Sequence, residues 1–335
     1  MSGVLVDEHD LLVLDLDGVV YVGAEAVAGA VETLTAVHEA GTALRYATNN
    51  ASRTPAQVAG HLRSLGVPAE TDQVVTSSQA AARLVADTLG DAGPVLAVGG
   101  PGVADALTAA GLDVVSSADD RPVAVVQGYG PDVGWRQLTE AALAVRAGAR
   151  WVATNVDPTL PTERGPAPGN GALVAAVRTA TGAEPLVAGK PQPTLFQVAA
   201  RGARSPLVVG DRLDTDVAAA RAAGMRSLLV LTGVTRPEDL LAAGPLERPD
   251  LVGADLRCLL EPPRVVPAAP EGGWWVSGTA QARLHDGRLQ VRAGDDDVQT
   301  LCAAAAAVWD ARDDGRCPDL TEVADQLRDV VTTRR

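Results

Sequence analysis

Short apolar runs and segments of helical periodicity alternate along the first 80 residues. Residues 11–16 and 43–47 are apolar runs with the length and composition of buried parallel strands. Residues 26–40 carry apolar side chains at helical spacing, and a Thr-Pro pair that suits an N-cap and a first helical turn opens a second helix over residues 54–65. This alternation predicts an α/β fold with a doubly wound, Rossmann-like parallel sheet.

The same alternation returns later in the chain, with a predicted strand, helix and strand at 206–209, 215–223 and 227–231. The chain between these two parts contains strand-like runs of its own, at 95–98, 123–126 and 151–153. We therefore interpret residues 81–186 as a second α/β domain that is inserted into a first domain, which comprises residues 1–80 and 187–260.

The end of the chain has a different character. Residues 261–273 are rich in Pro, Ala and Gly, which is typical of a linker, and residues 274–335 are expected to form a small α+β module. In this module we predict two strands between residues 274 and 291, joined by an Asp286-Gly287 turn. Helical spacing follows at 298–310 and 320–331. Trp274-Trp275 is expected to begin a core strand, and burial in a dimer interface is the alternative.

Composition and charge exclude several classes of protein. The 335 residues are 47% hydrophobic, enough for a sizeable core, and carry a net charge of −14, which disfavours nonspecific binding of nucleic acid or an anionic membrane. No apolar run approaches the ~18 residues of a membrane span, and the acidic N-terminus lacks a secretory-signal pattern. The three widely spaced cysteines argue against a disulfide framework and predict a cytoplasmic protein.

Lysine is nearly absent from this chain. The 28 basic residues include a single lysine, Lys190, and all others are arginine. Lysine is a compact point charge, whereas arginine is a wide planar fork. The retained lysine therefore suggests a small cation between two anions, and chance is the alternative explanation. The sequence Gly189-Lys190-Pro191-Gln192-Pro193 also favours the first turn of a helix, so lysine and a helix N-terminus together predict an anion site.

Two aspartates, Asp15 and Asp17, stand at the carboxyl end of the first predicted strand. Residues two apart on a strand point to the same side, and functional sites in open α/β sheets lie at this end. Like charges this close repel each other unless a cation or a shared proton compensates them, and Mg²⁺ suits hard oxygen ligands. A turn at Asp17-Gly18 is the alternative, but it does not account for Asp15.

Polar residues follow two other predicted strands. Thr48, Asn49 and Asn50 can donate hydrogen bonds to phosphate oxygens, although such residues are also ordinary in loops. Asp211 can complete a metal site and Asp216 can orient the lysine, although acidic residues before a helix are also common N-caps.

In their order along the chain, the carboxylate pair, hydroxyl, lysine and carboxylate resemble the four motifs of the haloacid dehalogenase-like (HAD) hydrolase superfamily. Asn155-Val156-Asp157, Pro168-Gly169-Asn170-Gly171 and Thr181-Gly182 are similar to the subfamily IIA phosphatases with a C2 cap, the NagD or p-nitrophenyl phosphatase-like group. The resemblance covers roughly residues 10–260. It implies a HAD core into which an α/β C2 cap domain is inserted.

The resemblance implies a role for each motif residue. Asp15 would be the nucleophile that forms an aspartyl-phosphate, and Asp17 would protonate the leaving alkoxide and then activate water. Mg²⁺ would be held by Asp15, Asp211 and the backbone carbonyl of Asp17. The phosphoryl oxygens would be held by Thr48, the Asn49-Asn50 backbone and Lys190, with Asp216 oriented toward the lysine.

The cap is expected to recognise the leaving group through residues 155–161, and we name this segment the reading loop. In it, Asn155, Asp157 and Leu160 are candidate substrate contacts. Pyridoxal phosphatases of this group carry a histidine where this chain has Leu160, and its four histidines lie outside the motifs, at His9, His38, His61 and His285. The loop and tail resemble those of actinobacterial glycerol 3-phosphate phosphatases, whose tail has been likened to part of a GNAT acetyltransferase. We therefore expect glycerol 3-phosphate as substrate, a noncatalytic packing or dimerisation role for the tail, and 2-phosphoglycolate, pyridoxal phosphate or p-nitrophenyl phosphate-type esters as alternative substrates.

Three competing interpretations are weaker. Gly99-Gly100-Pro101-Gly102 suggests a dinucleotide-binding oxidoreductase but lacks the third glycine of that fingerprint. A noncatalytic ligand-binding protein on the same fold would be expected to lose Asp15, Asp17 or Lys190, and all three are present. Phosphonate hydrolysis would need a cap lysine, and residues 81–186 contain none.

Overall fold

The computed structural model describes residues 3–89, 93–160, 162 and 164–320. Its strands are β1 (Leu11–Leu14), β2 (Tyr21–Val22), β3 (Glu25–Ala26), β4 (Ala43–Thr48), β5 (Val74–Thr76), β6 (Val95–Val98), β7 (Val114–Val115), β8 (Ala124–Gln127), β9 (Arg150–Ala153), β10 (Thr159–Leu160), β11 (Ala167–Pro168), β12 (Leu186–Val187), β13 (Pro206–Gly210), β14 (Arg226–Val230), β15 (Leu251–Gly253), β16 (Trp275–Ser277), β17 (Ala280–His285) and β18 (Arg288–Arg292). Its α-helices are α1 (Ala30–Glu39), α2 (Pro55–Ser64), α3 (Ser77–Leu89), α4 (Pro101–Ala109), α5 (Trp135–Arg146), α6 (Asn170–Thr181), α7 (Thr194–Ala199), α8 (Ala218–Ala222), α9 (Pro237–Ala242) and α10 (Asp297–Asp313). None of these helices combines the length and apolar character that crossing a bilayer requires.

The chain divides into two compact units. The first comprises residues 1–44, 65–68 and 202–335, and the second comprises residues 45–64 and 69–201. The expected boundaries, with a cap at residues 81–186, differ from this division and stay predictions.

The first unit contains four parallel strands in the order β15, β14, β13, β1. All four residues of β1 are buried, because parallel strands are covered on both faces, and this confirms the sequence-based expectation. Asp15 directly follows β1 and Asp211 directly follows β13, and these two strands are neighbours in register. The carboxyl ends of adjacent strands therefore present both aspartates at one edge of the sheet.

Two predicted helices of this unit differ at their start from what the sequence spacing suggested. The helix predicted from residue 26 begins at Ala30, because β2 and β3 form a hairpin that occupies residues 21–26. The helix predicted from residue 215 begins instead as a π-helical turn at Leu213–Val217 and continues as α8. In the first case a β-hairpin precedes the helix, and in the second a π-helical turn replaces the expected first turn of regular α-helix.

The end of the chain packs on the same unit. Strands β16, β17 and β18 form an antiparallel sheet, so the expected number of two strands was wrong, and the extra turn lies at Gly278, which has a φ of +57°. The Asp286-Gly287 turn is confirmed, with φ values of +50° and +77° at its two residues. Helix α10 confirms the helix predicted at 298–310, and the one predicted at 320–331 lies outside the described residues except for Leu320.

Helix α10 is buried along most of its length because it packs on two sides. One side covers the sheet of β16, β17 and β18, and another contacts α9 and β15. Trp275 packs against this core, as expected for a core strand, whereas the ring of Trp274 stacks with the guanidinium groups of Arg283 and Arg292 at 4.2 and 4.1 Å. The small module is therefore continuous with the hydrophobic core of the first unit.

The second unit contains a five-stranded parallel sheet in the order β12, β9, β8, β6, β7, and β4 pairs in parallel with β5. Thr54 caps α2 as predicted, since its hydroxyl accepts the N–H of Gln57 at 3.2 Å. The Gly-rich segment at 99–102 serves packing: a Cβ on Gly102 would lie 2.5 Å from the carbonyl oxygens of Ala51 and Arg53. Close packing, rather than binding of a dinucleotide, therefore explains the glycine at position 102.

Candidate active site

Three buried carboxylates cluster in the first unit. Asp15, Asp211 and Asp216 each offer an oxygen, and these oxygens lie within 4.8 Å of one another. The exposed fractions of the three residues are 7%, 1% and 0%. Buried like charges this close require compensation, and a set of hard carboxylate oxygens is the donor chemistry that Mg²⁺ prefers. The residues therefore fit a magnesium ion.

Local contacts fix each of these residues in place. The N–H of Asp15 donates to the carbonyl oxygen of Val209 at 2.9 Å, which extends the pairing of β1 with β13. The carboxylate of Asp216 accepts the N–H of Arg212 at 3.1 Å, within the turn that precedes α8. A Cβ on Gly210 would overlap the side chain of Asp216, so the glycine before Asp211 makes room for that carboxylate.

Two glycines enclose the side chain of Asp211. The N–H of Val234 donates to Oδ2 of Asp211 at 2.7 Å, and Gly233 lies so close that a Cβ there would overlap the same oxygen. A Cβ on Gly18 would lie 2.5 Å from Oδ2, and Gly18 has a φ of +84°, which also favours glycine. Sequence reasoning considered Gly18 only as a turn residue and missed Gly233, which lies in the loop after β14.

Asp17 lies outside the carboxylate cluster. The residue is exposed, and its backbone forms an isolated bridge with Tyr21. The third carboxylate of the cluster comes from Asp216, which sequence reasoning had assigned to orienting the lysine. An exposed carboxylate two residues beyond Asp15 suits proton exchange with a leaving group and with water. The roles of the Asp17 carbonyl and of Asp216 stay predictions.

The predicted phosphate-binding residues belong to the second unit. Lys190 is only 3% exposed, and its Nζ lies 5.8 Å from the ring centroid of Phe196. The side chain of Asn49 makes two hydrogen bonds to the backbone of this lysine. The N–H of Lys190 donates to Oδ1 of Asn49 at 2.9 Å, and Nδ2 of Asn49 donates to the carbonyl oxygen of Lys190 at 3.2 Å. The lysine is therefore held from its backbone as well as buried along its side chain.

Thr48 and Asn50 shape the loop after β4. The buried hydroxyl of Thr48 accepts the N–H of Asn50 at 3.1 Å and keeps its own proton for donation. The side-chain oxygen of Asn50 accepts the N–H and the hydroxyl of Ser52 at 3.0 and 2.8 Å. The Asn50 side chain therefore shapes the loop, and its backbone N–H, expected to bind substrate, bonds to Thr48.

The predicted reading loop contacts Asn49. The side-chain nitrogen of Asn155 donates to the carbonyl oxygen of Asn49 at 2.7 Å, and the carboxylate of Asp157 accepts from Nδ2 of Asn49 at 3.2 and 3.5 Å. Leu160 is half-buried on β10, opposite Ala167, and Pro161 lies outside the described residues. The structure thus brings two of the three candidate reading residues to Asn49, and substrate contact by Asn155, Asp157 and Leu160 stays a prediction.

Comparison with known proteins decides the family. Residues 12–113 match the haloacid dehalogenase-like hydrolase family, and residues 187–259 match the HAD-hydrolase-like family. A D-glycerol 3-phosphate phosphatase from Mycobacterium tuberculosis is 49% identical over 313 residues, which cover 92% of this chain and 88% of that protein. The chain belongs to the haloacid dehalogenase-like hydrolase family. This confirms the family that the four ordered motifs predicted.

Solved structures of this HAD family share the fold. The crystal structure of a glycerol phosphate phosphatase from Mycobacterium tuberculosis in complex with magnesium has a TM-score of 0.86 at 49% identity, covering 92% of this chain and 93% of that one. A 4-nitrophenylphosphatase from Thermotoga maritima has a TM-score of 0.70 at 33% identity, covering 77% of this chain and 98% of that one. The second match confirms the predicted p-nitrophenyl phosphatase-like group, and both confirm the α/β fold.

Proposed function

We propose that this chain is a Mg²⁺-dependent phosphatase that hydrolyses a small phosphate monoester, foremost glycerol 3-phosphate, through a phosphorylated aspartate at Asp15. The observation that carries the proposal is the buried cluster of Asp15, Asp211 and Asp216. The likeness to a D-glycerol 3-phosphate phosphatase over 92% of the chain supports the choice of substrate.

Mg²⁺ would be held by the carboxylates of Asp15 and Asp211 and by the backbone carbonyl of Asp17. When bound, the ion supplies positive charge that offsets the repulsion between a carboxylate and a phosphate dianion. The side chain of Asp216 lies with the other two carboxylates, so it either supports their orientation or adds an oxygen to the ligand set.

The reaction proceeds in two displacements. An oxygen of Asp15 attacks phosphorus, the bond from phosphorus to the alcohol oxygen breaks, and Asp17 donates its proton to the departing alkoxide. Asp17, now ionised, takes a proton from water, whose oxygen attacks the phosphorus of the acyl phosphate and releases inorganic phosphate and the Asp15 carboxylate. Because Asp17 gives a proton and then regains one, the cycle leaves the protein unchanged.

In this proposal, a cation and a hydroxyl group bind the transferring phosphoryl group. Lys190 supplies a buried positive charge and Thr48 a hydroxyl donor, and such preorganised groups stabilise charge on the equatorial oxygens. The candidate reading residues Asn155, Asp157 and Leu160 would face the alcohol part of the substrate. The polar side chains of Asn155 and Asp157 suit a polyol such as glycerol better than an aromatic leaving group.

Phosphate release from glycerol 3-phosphate, 2-phosphoglycolate, pyridoxal phosphate and p-nitrophenyl phosphate tests the proposal. We expect turnover with Mg²⁺, loss of turnover with EDTA, and the highest kcat/KM for glycerol 3-phosphate.

The variant Asp211→Asn tests the assignment of that carboxylate. Asp214→Asn is its matched control, since Asp214 is exposed and pairs with Arg212 at 2.8 Å. Ligand binding without turnover would favour the noncatalytic alternative, and equal loss in both variants would contradict the assignment of Asp211.

Location and assembly follow the same sequence-based reasoning. Cys258 and Cys302 are buried free thiols and Cys317 is an exposed one, which fits the proposed cytoplasmic location.

A homodimer built through the C-terminal module is the proposed assembly, and light scattering of the full chain measures it directly.

A further inference from the structure

We infer that Asn49 is a positioning residue whose side-chain amide locks the predicted reading loop to the backbone of Lys190. The inference rests on the proposed phosphatase function, because it concerns two groups that the proposal assigns to the substrate. It gives the side chain of Asn49 a role beside the one expected of its backbone, which was to bind the phosphoryl oxygens.

Asn49 is a hydrogen-bonding hub between segments that are distant in sequence. Its Oδ1 accepts from the N–H of Lys190 at 2.9 Å, and its Nδ2 donates to the carbonyl oxygen of Lys190 at 3.2 Å. The same Nδ2 donates to the carboxylate of Asp157 at 3.2 Å. Its carbonyl oxygen accepts from Nδ2 of Asn155 at 2.7 Å and from the hydroxyl of Ser77 at 2.6 Å.

The chemistry of this hub requires a side-chain amide. One end must accept the N–H of Lys190, and the other must donate two hydrogen bonds, one to a carbonyl oxygen and one to a carboxylate. An amide nitrogen has two N–H groups, so both donors of Asn49 are used. Aspartate, which has the same shape, keeps the acceptor, loses both donors and sets a second negative charge beside Asp157.

Two neighbouring features are built around the hub. A Cβ on Gly189 would lie 2.6 Å from Oδ1 of Asn49 and 2.5 Å from the carbonyl oxygen of Thr154, so only glycine allows the lysine loop to approach the amide. Asn155 is held in turn by Asn170, whose buried Nδ2 donates to the carbonyl oxygen of Asn155 at 2.7 Å. The reading loop is therefore supported on one side by α6 and on the other by Asn49.

The expected consequence is coupling between substrate reading and the lysine. A shift of Asp157 on engaging the alcohol part of the substrate would reach the backbone of Lys190 through the Asn49 amide, which bonds to both. The bond to Asp157 is charge-assisted, and such bonds contribute more than neutral ones. Loss of the hub should therefore lower kcat for glycerol 3-phosphate, whose alcohol the loop reads, more than kcat for p-nitrophenyl phosphate.

A swap of the two polar groups tests the coupling. We expect Asn49→Asp and Asp157→Asn each to lower kcat for glycerol 3-phosphate by about tenfold or more. The double variant re-forms the hydrogen bond between the two side chains in the opposite direction, with an amide at position 157 donating to a carboxylate at position 49. The donor to the carbonyl oxygen of Lys190 stays lost, so the double variant should recover part of the loss. Losses that simply multiply in the double variant would overturn the inference.

Hydrogen exchange supplies a readout that does not depend on activity. In Asn49→Ala, the backbone N–H groups of the non-proline residues in 187–193 and 153–158 should exchange at least about tenfold faster than in the wild type. Asn50→Ala is the matched control, because the hydrogen bonds described for its side chain go to Ser52 in the same loop, and it should leave both segments unchanged. Unchanged exchange in Asn49→Ala overturns the inference, whereas an inactive wild type with altered exchange in the variant overturns the proposed function alone.

Discussion

The backbone N–H of Val234 donates a 2.7 Å hydrogen bond to Oδ2 of Asp211. This bond holds one of the three clustered carboxylates in place from the loop after β14, 23 residues further along the chain. The carboxylate fits because Gly233, directly before Val234, has no side chain. The position of a proposed metal ligand is thus set by the backbone of Gly233 and Val234, which take no part in the proposed reaction.

Gly233→Ala should weaken magnesium binding. The added Cβ overlaps the Asp211 carboxylate, so either that side chain or the loop must move. We expect the Mg²⁺ concentration for half-maximal activity to rise by about tenfold or more, in line with the effect of disturbing groups that orient metal ligands. Gly60→Ala in α2 is the control, because a Cβ there meets nothing within 4 Å. An unchanged Mg²⁺ dependence in Gly233→Ala would refute this explanation.

Lys190→Arg should lose activity although it keeps the positive charge. The side chain is only 3% exposed, and the planar guanidinium is wider than the ammonium group it replaces. We expect kcat to fall by about 100-fold or more, close to the loss in the uncharged Lys190→Met. Steady-state kinetics with glycerol 3-phosphate measures both variants. Near-normal turnover in Lys190→Arg would mean that charge alone matters at this position.

Trp309→Ala should destabilise the protein strongly. Trp309 lies on α10, is 7% exposed, and donates from Nε1 to the carbonyl oxygen of Leu240 at 2.9 Å. Its removal leaves a cavity and an unsatisfied carbonyl group, for which a loss of about 3–5 kcal/mol in the free energy of unfolding is expected. Trp309→Phe keeps most of the ring and should lose about 1–3 kcal/mol. Urea unfolding of the full chain measures both, and equal stability of the alanine variant would show that α10 is not part of the core.

His9 should make the protein less stable in mild acid. Burial lowers the pKa of His9 below its ordinary value of 6.5. Arg226 adds to this, whereas the Ser205 carbonyl and the carboxylates of Glu8 and Asp10 oppose it. The folded state therefore favours the neutral ring, so this contribution to stability is present above pH 6.5 and is lost as the pH falls through the lowered pKa. His9→Gln should show a smaller fall in the free energy of unfolding between pH 7 and about pH 5. Parallel curves for the two proteins would contradict the prediction.

The sequence predicted where the site lies, but it did not predict the contacts between the residues of the site. Asp15 and Asp211 follow buried apolar strands, and parallel strands that are neighbours bring such residues to one edge, so the pattern alone carried the inference. The place of Asp216 in the cluster depends on a π-helical turn, which leaves no periodic signal distinct from an α-helix. The hub at Asn49 joins residues more than 100 positions apart, and one sequence holds no record of such contacts.

The small module shows the same limit. Its turn at Asp286-Gly287 was predicted because both residues tolerate positive φ. The third strand was missed because Gly278-Thr279 interrupts a run that otherwise alternates like one long strand. A packing role was among the expectations for this module, but the surface on which α10 packs was not predicted. Its run of alanines from Ala303 to Ala307 carries little amphipathic signal when opposite faces are both buried.

The most direct test of the proposed mechanism is mass spectrometry of enzyme quenched with acid during turnover of glycerol 3-phosphate in the presence of Mg²⁺. We predict a phosphoryl group on the peptide that contains Asp15, and its absence when EDTA replaces Mg²⁺ or when Asp15→Asn replaces the wild type. Phosphate release that persists in Asp15→Asn, or a phosphoryl group carried by another residue, would contradict the mechanism.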